Sequence, residues 1–266
     1  NIDHVATIRQ ARRTDEPGIR IVNNDAFGLP TDPARNVAGV VAAAMLARAD
    51  ANFGVEFEIT KHIMPGSGIG SSAASSAGAA VAVDQLLGEK FTKLELVEFA
   101  MEGEKLASGS RHADNVAPAI FGGFTLVRST DPLDIISLDY PPLWATVIHP
   151  QIEVKTAEAR AILPKEVPLK TAVRQWGNVG SLVAGLAKGD YDLISRSLED
   201  LIVEPVRKAL IPEFDEVKKA SLAAGALGGG ISGSGPSMFM LSLNPTKAQE
   251  IENLIRGIFD QTEIVI

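Results

Sequence analysis

The sequence predicts an α+β protein of two domains, and three observations lead there. The chain has 266 residues, more than one small domain requires. Strand-like and helix-like stretches are mixed without the regular alternation of a parallel α/β sheet. The pattern also resets at Pro141 and Pro142, where a fresh apolar strand, "LWATVIHP", begins. The expected division is an atypical segment at 1–17, a first domain at 18–140 and a second at 141–266.

Taken in order, the elements justify that division. After "NIDHVATIRQARRT", a Pro-, Asn- and Asp-rich stretch leads into a helix over about 33–49. "VEFEITKHI" (55–63) alternates, with Val55, Phe57 and Ile59 on a buried face and Glu56, Glu58 and Thr60 on a solvent face. A Gly/Ser loop follows, then a helix over 71–87 stopped by Gly88. Helical periodicity returns at 92–109, and 121–129 reads as a turn into a strand. Beyond the reset, helices are expected near 155–162, 168–187, 190–202 and 213–224. A second glycine loop, "GALGGGISGSGPS" (225–237), runs into strand "MFMLS" and a last helix near 246–258. His62 and His149 read as ordinary strand positions.

Composition excludes several functions. The net charge of −8 and a pI near 5.1 argue against nucleic acid or an anionic membrane as partner. Without cysteine there is no disulfide, thiolate metal site or thiol nucleophile. The apolar run 37–47 is too short to span a bilayer, and no signal peptide opens the chain. The cytoplasm is therefore the expected compartment. The first residue is Asn, which reads as a fragment or a processed form.

The first glycine loop, "PGSGIGSS", joins a strand to a helix N-terminus. Backbone N–H groups can converge there without Cβ interference, and the helix dipole favours an anion. Two familiar phosphate motifs fail. The dinucleotide fingerprint needs glycine where Ser71 stands, and the P-loop needs a lysine that is absent between Lys61 and Lys90. A Gly/Ser cradle remains, whose Ser71 and Ser72 hydroxyls can meet phosphate or Mg²⁺. The alternative is that the small residues serve only close packing, which is the better reading for the alanines of 71–87.

"PGSGIGSSAASS" resembles the phosphate-binding motif of the GHMP kinases, and "GGGISGSGPS" resembles their C-terminal glycine motif. "EGEKLASGSRHADNVAPAIFGG", "KTAEARAILP" and "VRKALIPEF" are most similar to the branch of that family that phosphorylates homoserine. The resemblance covers residues 18–266. It implies a ribosomal protein S5 domain 2-like N-terminal domain, a ferredoxin-like C-terminal domain and a homodimer. It also implies ATP- and Mg²⁺-dependent phosphorylation of the L-homoserine hydroxyl, on the path to threonine.

The same resemblance implies the site. Asn36 would contact adenine. Pro65, Gly66, Ser67, Gly68, Ile69, Gly70, Ser71 and Ser72 would wrap the triphosphate, with Ser72 and Glu104 on Mg²⁺. Taken without the motif, Glu104 would read as a solvated helix carboxylate beside Glu102. His112, Asn115, Thr156, Arg160, Arg207 and Gly233 would hold the amino acid, its carboxylate suiting a planar guanidinium. Asn115, Glu104 and Arg160 are the implied catalytic residues. Several GHMP relatives use an aspartate base where Asn115 stands, so catalysis by positioning and charge stabilisation is expected, with Asp114 the second choice as base.

Residues 1–17 lie outside that resemblance. The family normally opens with a strand and a substrate-gripping aspartate, neither of which is recognisable in this segment. "NIDHVATIRQARRT" instead resembles the opening of pyridoxine 5′-phosphate synthase, a TIM barrel in which residues matching Asn1, Asp3, His4 and Arg12 contact phosphorylated substrates. The rest of that barrel is absent, so the segment is read as a splice or a sequence error without activity. Ile2, Val5 and Ile8 alternate poorly for an edge strand, and an exposed sheet edge is the expected consequence. Two other functions stay open: another GHMP small-molecule kinase, and a remnant that binds nucleotide without turnover.

Overall fold

The computed structural model describes residues 7–24, 27–61, 65–152, 154, 156–262 and 264, with only the backbone of Thr7, Arg9 and residues 156–158. Asn1, Asp3, His4 and His62 lie outside the described residues. Two compact units form. One takes the chain to Pro65 and Gly70–Ser137, the other takes Gly66–Ile69 and Leu138–Ile266.

In the first unit β1 (Thr7–Thr14), β2 (Ile19–Asn23) and β3 (Gly54–Thr60) form a sheet ordered β1-β3-β2. β3 runs antiparallel to β1 and parallel to β2. A 3-10 turn at Pro33–Arg35 precedes α1 (Val37–Arg48), which is followed after β3 by α2 (Ser71–Leu87), α3 (Lys93–Ser108) and α4 (Val116–Phe121). The β4 (Phe124–Thr130) and β5 (Leu133–Leu138) hairpin completes the order. Val55, Phe57 and Ile59 are buried in the core, together with Val41 and Met45 of α1 and Val97 and Met101 of α3.

Residues 7–14 supply a strand that covers one side of β3, and β1 itself becomes the edge of the sheet. β1 pairs along all of β3, and a bulge between Ile8 and Gln10 puts an extra residue into its register. Ile8 and Ala11, three apart, both pack on the core. A bulge breaks the two-residue period, which is why a segment that reads as an ordinary strand alternates poorly. Glu56 also departs from its expected solvent position, being 8% exposed. The register sets Arg12 and Arg20 on either side of it, and both guanidiniums pair with its carboxylate.

α2 carries almost no large side chain, and that lets α1 and α3 close on it. At Gly103 of α3, a Cβ would lie 2.3 Å from the Ser76 hydroxyl and 3.2 Å from the Val37 carbonyl. Gly103→Ala would gain about 1 kcal/mol of helix propensity. The overpacking should cost about 1–3 kcal/mol and outweigh it. A fall in Tm of several degrees is expected by thermal melting; an unchanged or raised Tm would mean the helices part without cost.

The second unit holds β6 (Trp144–Ile148), α5 (Thr156–Ala161), α6 (Leu169–Lys188), α7 (Tyr191–Ser197), α8 (Glu204–Arg207), a 3-10 turn at Lys208–Leu210, α9 (Phe214–Ala223), β7 (Gly228–Ile231), β8 (Met238–Ser242) and α10 (Pro245–Phe259). The sheet is antiparallel, ordered β6-β8-β7, and α9 and α10 pack on it around Met238, Met240, Val217, Ile251 and Ile255. The helix expected over 190–202 ends at Ser197. Beyond it the Asp200 carboxylate accepts from the N–H groups of Ile202, Val203 and Glu204, an arrangement that competes with helix. The second glycine loop is shorter than expected, because Gly228–Ile231 pairs as a strand with β8. A Cβ at Gly229 would lie 2.0 Å from the Phe239 carbonyl, so these glycines permit close approach of backbone rather than a turn. Among the described residues no helix is long and apolar enough to cross a membrane.

Candidate active site

Within the first unit the chemistry gathers at the head of α2. Gly70 holds the N-cap position at φ +74, a left-handed conformation that glycine takes without strain, and no side chain caps the helix. Its N-terminal dipole therefore stays available to an anion. Buried Lys61, immediately after β3, donates from Nζ to both the carbonyl and the hydroxyl of Ser71, each at 3.1 Å. A buried ammonium near the positive end of a helix is costly unless negative charge completes the group.

Glu104 on α3 supplies one such charge. It is 6% exposed, so it is not the solvated carboxylate that its neighbours Glu102 and Lys105 imply. Burial pushes its pKa up, hydrogen bonds from Ser72 and Ser76 and the charge of Lys61 oppose that, and nearby Asp114 adds to it. Its Oε1 is buried without a hydrogen-bond partner. Asn115 heads α4 with its side chain uncommitted to the cap, and its amide oxygen lies 3.5 Å from where a Gly70 Cβ would stand. Asp114 and Asn115 are exposed, and His112 is half-buried.

The second unit holds the rest of the glycine loop. The Ser232 hydroxyl donates to the Gly68 carbonyl at 2.9 Å, and Ser237 donates to the Ser67 carbonyl from its N–H at 3.2 Å and its hydroxyl at 2.5 Å. Gly68, at φ +82, has no room for a Cβ, which would meet the carbonyls of Gly235 and Ser232 at 2.6 Å. The two glycine motifs thus form one hydrogen-bonded structure.

Nearby in sequence, Arg207 donates from Nε to the Ala159 carbonyl at 2.9 Å and from a terminal nitrogen to the Gly233 carbonyl at 3.2 Å. Burial lowers its pKa, the like charge of Arg160 lowers it further, and Asp200 opposes both. Two neighbouring guanidiniums that repel each other suit a carboxylate or phosphate.

The structure thus brings Ser71, Ser72, Glu104 and Asn115 together in one unit and Arg160, Arg207 and Gly233 in the other. Thr156 heads α5, its side chain outside those described. Asn36 is engaged differently. It is 7% exposed and caps α1, accepting from the Ala38 N–H at 3.0 Å and donating to the Pro30 carbonyl at 2.7 Å. Lys61 and Ser76 are site residues that the sequence reading passed over. Lys61 had a signal: it continues the odd-numbered, core-facing parity of Val55, Phe57 and Ile59.

The class of protein is that of the GHMP small-molecule kinases. The family model described as GHMP kinases N terminal domain matches residues 36–123, and that described as GHMP kinases C terminal matches 182–258. The chain belongs to the GHMP kinase family, and ATP use follows from it. Within the family its relatives are particular. Homoserine kinase of Chloroherpeton thalassium is 52% identical over 242 residues, covering 88% of this chain and 76% of the relative. Homoserine kinase of Chlorobaculum tepidum is 46% identical, covering 96% and 81%. The crystal structure of homoserine kinase from Cytophaga hutchinsonii superposes with a TM-score of 0.92 at 51% identity, covering 96% of this chain and 82% of that one. With 96% of the chain covered, the kinase match extends into residues 1–17.

Proposed function

We infer that this chain transfers the γ-phosphoryl group of ATP to the side-chain hydroxyl of L-homoserine, giving O-phospho-L-homoserine and ADP. The observation that carries the reading is Arg207, bonded to the Ala159 and Gly233 carbonyls with the like charge of Arg160 near enough to lower its pKa, in a chain whose relatives are homoserine kinases. A kinase for a neutral sugar has less use for a guanidinium pair that can take a carboxylate; mevalonate carries a carboxylate too, and against it the homoserine kinase relatives decide.

Residues 65–72, with Lys61, hold the phosphates. Ser72 and Glu104 suit Mg²⁺, since the unpartnered Oε1 of Glu104 and the adjoining hydroxyl are hard oxygen donors. Among the described residues no cluster of three or more His, Asp or Glu side chains could enclose a metal, which fits a cation that takes most of its oxygens from phosphate and water. When bound there, Mg²⁺ would neutralise charge on the phosphates. Arg160 and Arg207 take the homoserine carboxylate, with Gly233, Thr156 and His112 completing its site. Asn115 orients the hydroxyl. The hydroxyl oxygen bonds to the γ-phosphorus as the bond to the ADP oxygen breaks, and the proton passes to solvent. An amide cannot act as base, and a loose transition state does not demand one. Asn36 would reach adenine only by giving up one of its two cap bonds. Residues 1–17 carry no activity of their own in this reading. The assembly is a homodimer, which light scattering checks.

The test is ADP release from Mg-ATP with a panel of L-homoserine, mevalonate, phosphomevalonate and galactose. Turnover dependent on homoserine is expected. Turnover with another acceptor would reassign the substrate, and ATP binding without any turnover would make this a nucleotide-binding remnant.

A further inference from the structure

The second unit contains a side chain that the reaction as described does not use. His149 follows β6, and its Nδ1 lies 3.0 Å from the Ser237 hydroxyl, which lies 2.5 Å from the Ser67 carbonyl. Proton positions follow from these distances. Two oxygens 2.5 Å apart require a shared hydrogen bond, and a carbonyl has no proton to give. The Ser237 hydroxyl must therefore donate to Ser67, which leaves it only lone pairs to offer His149. Nδ1 must then be the protonated ring nitrogen.

We propose that His149 is a positioning residue for the nucleotide: its Nδ1–H, acting through the Ser237 hydroxyl, fixes the Ser67 carbonyl and with it the path of Gly66–Ile69. Two further features agree. Nε2 is buried without a partner, and burial lowers the ring's pKa, so the ring is held neutral with its one proton on the side where an acceptor waits. Ser237 is fully buried and Ser67 2% exposed, so water does not compete for these bonds. The carbonyl they hold sits between Gly66 and Gly68, whose positive φ values leave the loop little intrinsic preference for one path. Order imposed at Ser67 therefore sets where the loop's N–H groups point.

This inference rests on reading the loop as the ATP cradle, and the test separates the two. His149→Phe keeps the bulk and removes the donor. Its KM for ATP should rise about three- to tenfold, the worth of one buried hydrogen bond, with KM for homoserine unchanged. His149→Asn places an amide N–H near the Nδ1 position and should restore ATP binding. Ser237→Ala should match His149→Phe, and the double variant should be no worse than either alone. Nitrogen NMR of the wild-type ring should show Nδ1 protonated and Nε2 bare. The inference is overturned if ATP binding survives in both His149→Phe and Ser237→Ala, if Asn fails to rescue, or if the KM for homoserine rises equally. Should His149→Phe not fold, the Asn and Ser237→Ala variants and the NMR decide. Gly68→Ala tests the underlying reading: if it folds and binds ATP normally, the loop is not the cradle, whereas lost ATP binding in Gly68→Ala alone would overturn only the role of His149.

Discussion

Glu104→Gln is expected to lower kcat about a hundredfold to a thousandfold, the scale of losing one preorganised electrostatic contact to a transition state, while leaving the protein at least as stable as its parent. The two effects have one cause. Burial raises the Glu104 pKa, with Asp114 adding to it, so the ionised form is disfavoured by the fold although Ser72, Lys61 and Ser76 partly compensate. A carboxyl whose folded pKa lies above its unfolded value stabilises fully below the unfolded pKa, and that contribution is lost as pH rises through the folded one. Glutamine has the same shape without the charge. Metal-free melts of parent and variant should therefore coincide at acid pH and diverge as pH rises past the ordinary carboxylate range, the variant melting higher. Activity should move in the opposite direction, with a weaker dependence on Mg²⁺ concentration. The control is Glu102→Gln, which removes another carboxylate of α3, paired with Arg111 beyond the helix end, and should alter neither. A variant that keeps full turnover and Mg²⁺ dependence would remove Glu104 from the metal site.

How far the site could be read beforehand depends on which residues advertise themselves. The glycine loops were visible because backbone that must pass close to other backbone or to phosphate tolerates only glycine, and Gly68 and Gly229 show that constraint directly. The mixed α+β architecture followed from helices and strands whose apolar periods are regular, such as α3 and β3. β1 was legible as a strand but not as a member of this sheet, because its bulge puts Ile8 and Ala11 on one face at a spacing that belongs to neither period. Burial of Glu56 was hidden because its two arginines come from strands 36 and 44 residues away in sequence. Long-range pairing of this kind leaves no local trace. Lys61 was legible in principle as a charge at core parity, just outside the loop in which a P-loop lysine would stand. Glu104 is the intermediate case, identified by a motif while its immediate neighbours imply a solvated carboxylate.

Replacing Arg207 with lysine should produce the other large change, in substrate rather than in chemistry. Arg207 already spends Nε on the Ala159 carbonyl and one terminal nitrogen on the Gly233 carbonyl, so α5 and the second glycine loop are tied through one planar group. Its remaining N–H groups, with Arg160 beside it, are what a carboxylate can use. A lysine ammonium would keep the charge, yet it cannot hold two backbone carbonyls and a carboxylate in one plane. Each charge-assisted hydrogen bond is worth about 1.5–3 kcal/mol, so losing the fork should raise KM for homoserine about tenfold to a hundredfold or more. The KM for ATP should shift by less than about twofold, the charge itself being retained. Steady-state kinetics with each substrate varied in turn reads this split. Arg160→Lys should move the same constant in the same direction, and the two should combine by less than their product if both guanidiniums serve one carboxylate. Should ATP and homoserine KM rise together, Arg207 would be holding the glycine loop rather than the amino acid, and specificity for a carboxylate would fall to Arg160 alone.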